Sequence, residues 1–318
     1  MRKKIVLGIV CLLLLIIVFL FVGPFTFGIK REVSIASPIF IVSGKITDLG
    51  NWKSWHPVLK NLDTSSIISS PTANQVNSFL KAGNHLYTVL QVNPAYILIK
   101  DQDTKKTSYQ SFYAFPDSSG AFTRVILTKL VPFGTWLKEK IFDGTEADSV
   151  LKNLKEYIED PARLYGFPIS IGRVADTLVM TKTITADNKR KIQTLQQLYN
   201  DIYEFASKSS ILTSTIRMAN FHPSGHDSVI ISAGIPVNKK GLEKKDIFYL
   251  EMPPKGKMLI GKYEGPYEGL NKLYIAMEKY IRDKGLHKVA IPYERYLSNP
   301  VSSSDSLHMK IELYYPIY

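Results

Sequence analysis

The chain has 318 residues, enough for roughly two domains of ~100–200 residues each. Its 45% hydrophobic and 21% charged content is ordinary for folded protein and argues against intrinsic disorder. The 40 Lys and Arg against 28 Asp and Glu give a formal charge of +12, but no run of them is interleaved with stacking aromatics as a nucleic-acid groove requires. The charge reads instead as a solubilising surface, able to sit near anionic lipid. The single cysteine, Cys11, lies in an apolar leader, so the folded body has neither an internal disulfide nor a thiolate metal site.

Ile5–Val22 carries no charge and no proline, follows Arg2-Lys3-Lys4, and is stopped by Gly23-Pro24. As a helix it would rise ~27 Å, sufficient for a hydrocarbon core. The basic cluster in front favours a cytoplasmic N-terminus. The expectation is a retained single-pass transmembrane helix within residues 1–28, a bilayer as partner, and an extracytoplasmic (periplasmic) body. A cleaved signal peptide is the alternative.

Next, Arg31–Pro38 alternates as a strand, with Val33 and Ile35 on one face. A short helical segment, Ile39–Leu49, leads into Gly50-Asn51-Trp52-Lys53-Ser54-Trp55-His56-Pro57. Strand-like runs follow at Gln75–Lys81, His85–Val92, Tyr96–Asp101, Thr107–Phe115 and Phe122–Leu130, until Pro132-Phe133-Gly134 breaks the pattern. A helix over Glu146–Glu159 places Val150, Leu151, Leu154, Tyr157 and Ile158 on one side, and Asp160-Pro161 ends it. Together these predict an antiparallel sheet curved around a closing helix.

This order, with Val33-Ser34-Ile35-Ala36-Ser37-Pro38 followed by Trp52-x-x-Trp55-x-Pro57, resembles the START-like or polyketide cyclase (SRPBCC) superfamily over about Glu32–Asp160. Ile39-Phe40-Ile41-Val42 stands where an aromatic-valine pair is usual. The resemblance implies a helix-grip domain, over 29–162, with an apolar cavity for a lipid-like ligand. Trp52, Trp55 and Trp136 read as core or lid residues rather than catalytic groups.

The rest of the chain repeats itself. Phe167–Val237 and Asp246–Tyr318 each read strand, helix, strand, loop, strand, which predicts two half-sheets related by a pseudo-two-fold axis with a cleft between them. The first helix, Asp187–Lys208, has an apolar stripe of Ile192, Leu195, Tyr199, Ile202 and Ala206, with Asp187 as N-cap. The second, Tyr267–Lys284, has Leu270, Leu273, Tyr274, Met277 and Ile281, with Gly285 at a left-handed C-cap. In His308–Tyr315, Met309, Ile311, Leu313 and Tyr315 share one face and Lys310, Glu312 and Tyr314 the other. Glu294 and Tyr296 share a face of their own strand. The expectation is that they join Glu312 and Tyr314 opposite the helices, where the first unit carries Arg217, Ala219, Ser232 and Gly234.

Three segments carry a second resemblance: Lys262-Tyr263-Glu264-Gly265-Pro266-Tyr267, Ile291-Pro292-Tyr293-Glu294-Arg295-Tyr296-Leu297-Ser298-Asn299-Pro300, and Ile311-Glu312-Leu313-Tyr314-Tyr315-Pro316-Ile317. In that order they resemble the GyrI-like family, the effector-binding domain also found in AraC- and MerR-type regulators, over about 167–318. The resemblance implies that Glu294 recognises ligands, commonly lipophilic cations. Some members are hydrolases that use a cleft glutamate and a tyrosine. The regulators' DNA-binding helices have no counterpart here.

The whole chain therefore reads as α+β: an anchor, a START-like domain and a duplicated GyrI-like domain. The expected function is non-enzymatic binding of a small hydrophobic, cationic molecule, with Glu294, Tyr296, Glu312, Tyr314 and Tyr263 as ligand-binding residues and no cofactor. One alternative is a hydrolase with Glu294 or Glu312 as base and Tyr263 as acid. Another is an interaction module of the cell envelope. His222-x-x-x-His226 lies in a loop without a third ligand, and neither a Gly-x-Ser-x-Gly elbow nor a phosphate-binding glycine loop occurs.

Overall fold

The computed structural model describes residues 10–318 apart from 11, 14, 17, 20–22, 24, 105–106, 142–145, 245 and 299–307. Asn299 and Pro300, which end the second of the three GyrI-resembling segments, thus lie outside the described residues. The chain divides into two compact units, Met1–Asp160 and Pro161–Tyr318, each α+β with one antiparallel sheet.

Among the described residues no helix is long and apolar enough to cross a membrane. The expected transmembrane helix is therefore corrected, and with it the single-pass topology, the bilayer as partner and the extracytoplasmic placement of the body. A span needs about 20 consecutive apolar helical residues. Of Ile5–Val22 only Val10, Leu12, Leu13, Leu15, Ile16, Val18 and Phe19 are described, an interrupted set, and the remainder lies outside the described residues.

In the first unit, β1 (Thr26–Ile35) leads to α1 (Ile39–Ile46) and a 3-10 segment, Leu49–Ser54. The strands β2 (Ile67–Ser69), β3 (Phe79–Ala82), β4 (His85–Asn93), β5 (Tyr96–Gln102), β6 (Thr107–Pro116) and β7 (Thr123–Pro132) follow. They form one sheet in the order β1-β7-β6-β5-β4-β3-β2. Alternation selects the inner face: Thr123, Val125, Leu127, Lys129 and Val131 of β7 are buried. The helix α2 (Phe133–Ile141) starts directly after Pro132, where the sequence pattern showed only a break. It brings Trp136 to 5.4 Å from Phe27, ring centre to ring centre. Helix α3 (Glu146–Glu159) buries Val150, Leu151, Leu154 and Ile158 and packs on β1 and β7, as its stripe requires.

Trp52 and Trp55 are fully buried. Their indole N–H groups donate to the carbonyls of Ile46 (2.9 Å) and Lys45 (3.1 Å). Carbonyls at the end of a helix have no intrahelical donor, so each indole satisfies a backbone group of α1 that burial would otherwise strand. Trp52 also meets Phe112 at 5.3 Å, Tyr87 at 6.0 Å and, stacked, His56 at 5.2 Å. These rings fill the interior beneath the sheet. Burial pushes the His56 imidazole down to about 3, so it is neutral there.

The second unit contains α4 (Pro161–Tyr165), β8 (Ile169–Arg173), β9 (Leu178–Asp187), α5 (Lys191–Lys208), β10 (Arg217–Pro223) and β11 (Ser228–Pro236). It continues with β12 (Phe248–Glu251), β13 (Lys257–Gly265), α6 (Leu270–Asp283), β14 (Tyr293–Tyr296) and β15 (Met309–Pro316). The sheet runs β12-β9-β11-β10-β14-β15-β13-β8. This order reads symmetrically from its centre. Each repeat contributes a helix and three contiguous strands, and the short leading strands β8 and β12 are exchanged onto the other repeat. Both helices join one apolar core with Ile231, Ala233, Leu259 and Leu313. Asp187 accepts from the Lys189 N–H at 2.7 Å, capping the turn before α5, and Gly285 ends α6 at φ +61°, the left-handed region that glycine enters without cost.

Trp52→Ala should destabilise the first unit by about 3–5 kcal/mol, the usual cost of truncating a fully buried large aromatic. Chemical denaturation followed by circular dichroism checks it. A loss well below 1 kcal/mol would mean that the interior closes around the gap.

Candidate functional site

Register decides which side chains meet. β10 and β14 pair through Arg217↔Tyr296, Met218↔Arg295 and Ala219↔Glu294. β14 and β15 pair through Tyr293↔Tyr314, Glu294↔Leu313, Arg295↔Glu312 and Tyr296↔Ile311. Residues directly opposite one another share a face. Glu294 and Tyr296 therefore lie with Ala219, Leu313 and Ile311 on the face covered by α5 and α6. Glu312 and Tyr314 lie on the reverse with Arg295 and Tyr293. The expected single face carrying Glu294, Tyr296, Glu312 and Tyr314 is corrected, because alternation within a strand is indifferent to the parity between strands. The same parity splits the first-unit positions: Arg217 and Ala219 face the helices, whereas Ser232 and Gly234 face away.

Glu294 is 2% exposed. Tyr274, from α6, donates to its Oε1 at 2.8 Å, Tyr296 donates to Oε2, and the Tyr267 hydroxyl is 3.4 Å from both oxygens. Three phenols thus surround one carboxyl. It forms part of the wall of a cavity of about 540 Å³, lined also by Lys191, Ile192, Phe221, Tyr267, Glu268, Leu270, Asn271 and Tyr274. The cavity joins both repeats: Lys191 and Phe221 come from the first, and Tyr267, Tyr274 and Glu294 from the second.

Burial drives the Glu294 carboxyl above its ordinary value of 4.5, against the opposing pull of the tyrosine hydrogen bonds and the Lys191 charge. Burial and then the Glu294 charge push Tyr267, Tyr274 and Tyr296 well above the ordinary phenol value. These phenols are donors that hold on to their protons.

On the reverse face, Arg295 Nε donates to Asp176 at 2.8 Å, and one of its terminal nitrogens donates to Glu312 Oε2 at 3.0 Å. Tyr314 donates to the same Glu312 oxygen at 3.1 Å and stacks on Tyr293 at 5.2 Å. Burial, with Glu312 beside it, pushes the Tyr314 phenol up to about 12. Glu312 is thus engaged by a guanidinium and a phenol. Tyr263 hydrogen-bonds with neither group, its hydroxyl donating to the Pro266 carbonyl, but it shares with Glu312 the lining of a second cavity of about 430 Å³, together with Phe167, Lys262 and Lys310.

Sequence reasoning missed Lys191, Phe221, Tyr267 and Tyr274 as neighbours of Glu294. Tyr274 was legible as part of the α6 stripe, and its hydroxyl was the signal that this stripe ends on a polar partner. Phe221 and Lys191 carried no such signal, since only the packing of two repeats brings them to the cavity.

No family model matches the chain, and no curated protein does. Among solved structures, the crystal structure of the EcmrR C-terminal domain is similar over 48% of this chain and 98% of that one, at 16% identity and a TM-score of 0.41. The cryo-EM structure of an EcmrR–DNA complex covers 59% of this chain and 77% of that one, at 15% identity and a TM-score of 0.42. An uncharacterized conserved protein from Listeria innocua covers 47% and 92%, at 11% identity and a TM-score of 0.37. Likeness at this level carries neither a family nor a function to this chain.

The raised pKa of Glu294 makes stability depend on pH. The folded state holds the carboxyl proton more tightly than the unfolded chain, so this stabilisation is full below 4.5 and is lost as pH rises through the elevated folded value. Glu294→Gln, whose amide does not titrate, removes that dependence. In scanning calorimetry the melting temperature of the unsubstituted protein should fall relative to Glu294→Gln as pH rises through this window. A gap independent of pH would show that Glu294 does not retain its proton in the fold.

Proposed function

We propose that the second unit binds a lipophilic organic cation in the cavity above Glu294, and that it does so without catalysis. The observation that carries this reading is a single deeply buried carboxyl, held by Tyr274, Tyr296 and Tyr267, in an aromatic-walled cavity of about 540 Å³. That volume suits a compact polyaromatic molecule. A buried carboxylate without a cation is costly, and a bound cation removes the cost. Tyrosine faces add cation–π attraction of roughly 0.5–2 kcal/mol each. The three GyrI-like segments, with Glu294 at their acidic position, support the same reading.

The hydrolase alternative is less well served. A general acid must release its proton in the transition state, whereas burial and the Glu294 charge make the surrounding phenols hold their protons more tightly. Both carboxylate oxygens also already accept from tyrosines. Tyr263 and Glu312, the other candidates for that chemistry, line one cavity, but Tyr263 donates its proton to the Pro266 carbonyl and Glu312 is paired with Arg295. Glu312 and Tyr314 act in this reading as the buttress of the reverse face, through Arg295.

For the first unit, an antiparallel sheet closed by α3 supports the START-like resemblance. A lipid-like ligand has less support: Trp52, Trp55, Tyr87 and Phe112 fill the interior, and one pocket of that unit, about 200 Å³, is lined by His85, Asp101, Lys129 and Glu146.

Isothermal titration with tetraphenylphosphonium tests the cation site. Glu294→Gln should weaken binding by roughly 1.5–3 kcal/mol, about ten- to a hundredfold, and Glu312→Gln should leave it unchanged. Equal affinity for the Glu294→Gln protein and the unsubstituted one would sink the proposal.

A further inference from the structure

Lys191 is the first residue of α5, preceded by Lys189 and Arg190, and the first turn of this helix holds no acidic side chain. Cations are disfavoured at a helix N-terminus, where the unpaired N–H groups make the positive pole. Something else must accommodate this charge. The Lys191 ammonium lies 5.6 Å from the centre of the Phe221 ring and 5.6 Å from that of Tyr267. One ring comes from each repeat, so the ammonium bridges the two halves of the unit. It lines the same cavity as Glu294. Its charge also works against the burial that raises the Glu294 pKa, which places it within electrostatic reach of the carboxyl.

We propose that Lys191 is a built-in occupant of the cation position: its ammonium fills the aromatic cage of Phe221 and Tyr267 when the cavity is empty, and an incoming ligand cation displaces it. This rests on the cation-binding reading of the same cavity. The flexible four-carbon stem lets the ammonium swing out to water, where it is strongly hydrated. Binding then exchanges one cation for another in the aromatic cage, and the net cation–π gain is small. What remains to favour the ligand is the apolar area it buries against Phe221, Tyr267, Ile192 and Leu270. Lys191 thereby acts as a specificity filter. Large aromatic cations bury enough surface to evict it, whereas small, well-hydrated cations gain nothing over the lysine already present.

The test is titration of the whole protein with tetraphenylphosphonium, alongside its neutral relative triphenylphosphine oxide. Lys191→Gln should bind tetraphenylphosphonium about two- to thirtyfold more tightly, the range set by removing one competing cation–π cage contact. Lys191→Arg, which keeps the charge and stacks on aromatic rings, should stay close to the unsubstituted protein. The neutral probe should gain much less from Lys191→Gln than the cation does, which separates displacement of charge from simple relief of crowding. Unchanged or weaker cation binding by Lys191→Gln overturns the proposal, and so does an equal gain for both probes. Glu294→Gln in the same titration keeps the two readings apart. If it weakens binding while Lys191→Gln brings no gain, only the role of Lys191 falls. If it has no effect, or if none of the variants binds the cation, the cation site itself falls and the proposal with it.

Discussion

The antiparallel pairing of β10 with β14 joins the two repeats of the second unit, and its register sets the parity of the strands beyond it. With Ala219 opposite Glu294 and Glu294 opposite Leu313, the carboxyl points toward α5 and α6. A shift of one residue would send Glu294 to the reverse face and bring Arg295 under the helices. The apolar set on β15 resists such a slip, because Ile311, Leu313 and Tyr315 must remain in the core shared by both helices. Packing of one strand thus fixes the orientation of a polar group on its neighbour.

A buried carboxyl on that inner face requires compensation, and the molecule supplies it from several directions. Tyr296 comes from the same strand, Tyr274 from α6 and Tyr267 from the turn before it. Lys191, at the start of α5, adds positive charge from the opposite repeat. The reverse face uses a different solution for its charges. There Arg295 is paired with both Asp176 and Glu312, and the three side chains close on one another. One side of the sheet therefore carries a self-contained ion-pair network. The other carries a carboxyl held directly by neutral phenol donors, with the Lys191 ammonium as the nearby charge.

The first unit rests on a related constraint, met with neutral groups. Placing Trp52 and Trp55 in the interior costs little because each indole N–H reaches a carbonyl at the end of α1. His56 shares that interior in its neutral form, stacked on Trp52. In both units aromatic residues supply the bulk of a polar solution, with hydroxyl or N–H groups aimed at oxygen acceptors that would otherwise be stranded.

Local pattern made much of this legible. The limits of α3, the strands β4 to β7, the Asp187 cap, the Gly285 stop and the duplication itself follow from alternation, helical periodicity and end signals, all of which act over a few residues. The same local logic misread Pro132-Phe133-Gly134 as a break only, since a proline can end a strand immediately before a helix begins. It also took the leader for a membrane span on length and polarity, which the described helical residues do not support. What local pattern left open was every relation between distant segments: the exchange of β8 and β12, the parity that separates Glu294 from Glu312, and the meeting of Lys191 and Phe221 with Tyr267. The sequence by itself determined which residues alternate and which helices are amphipathic, because neighbouring side chains see one another through the chain. Only the tertiary structure decided which faces coincide, because strand register is a balance of core packing over the whole sheet.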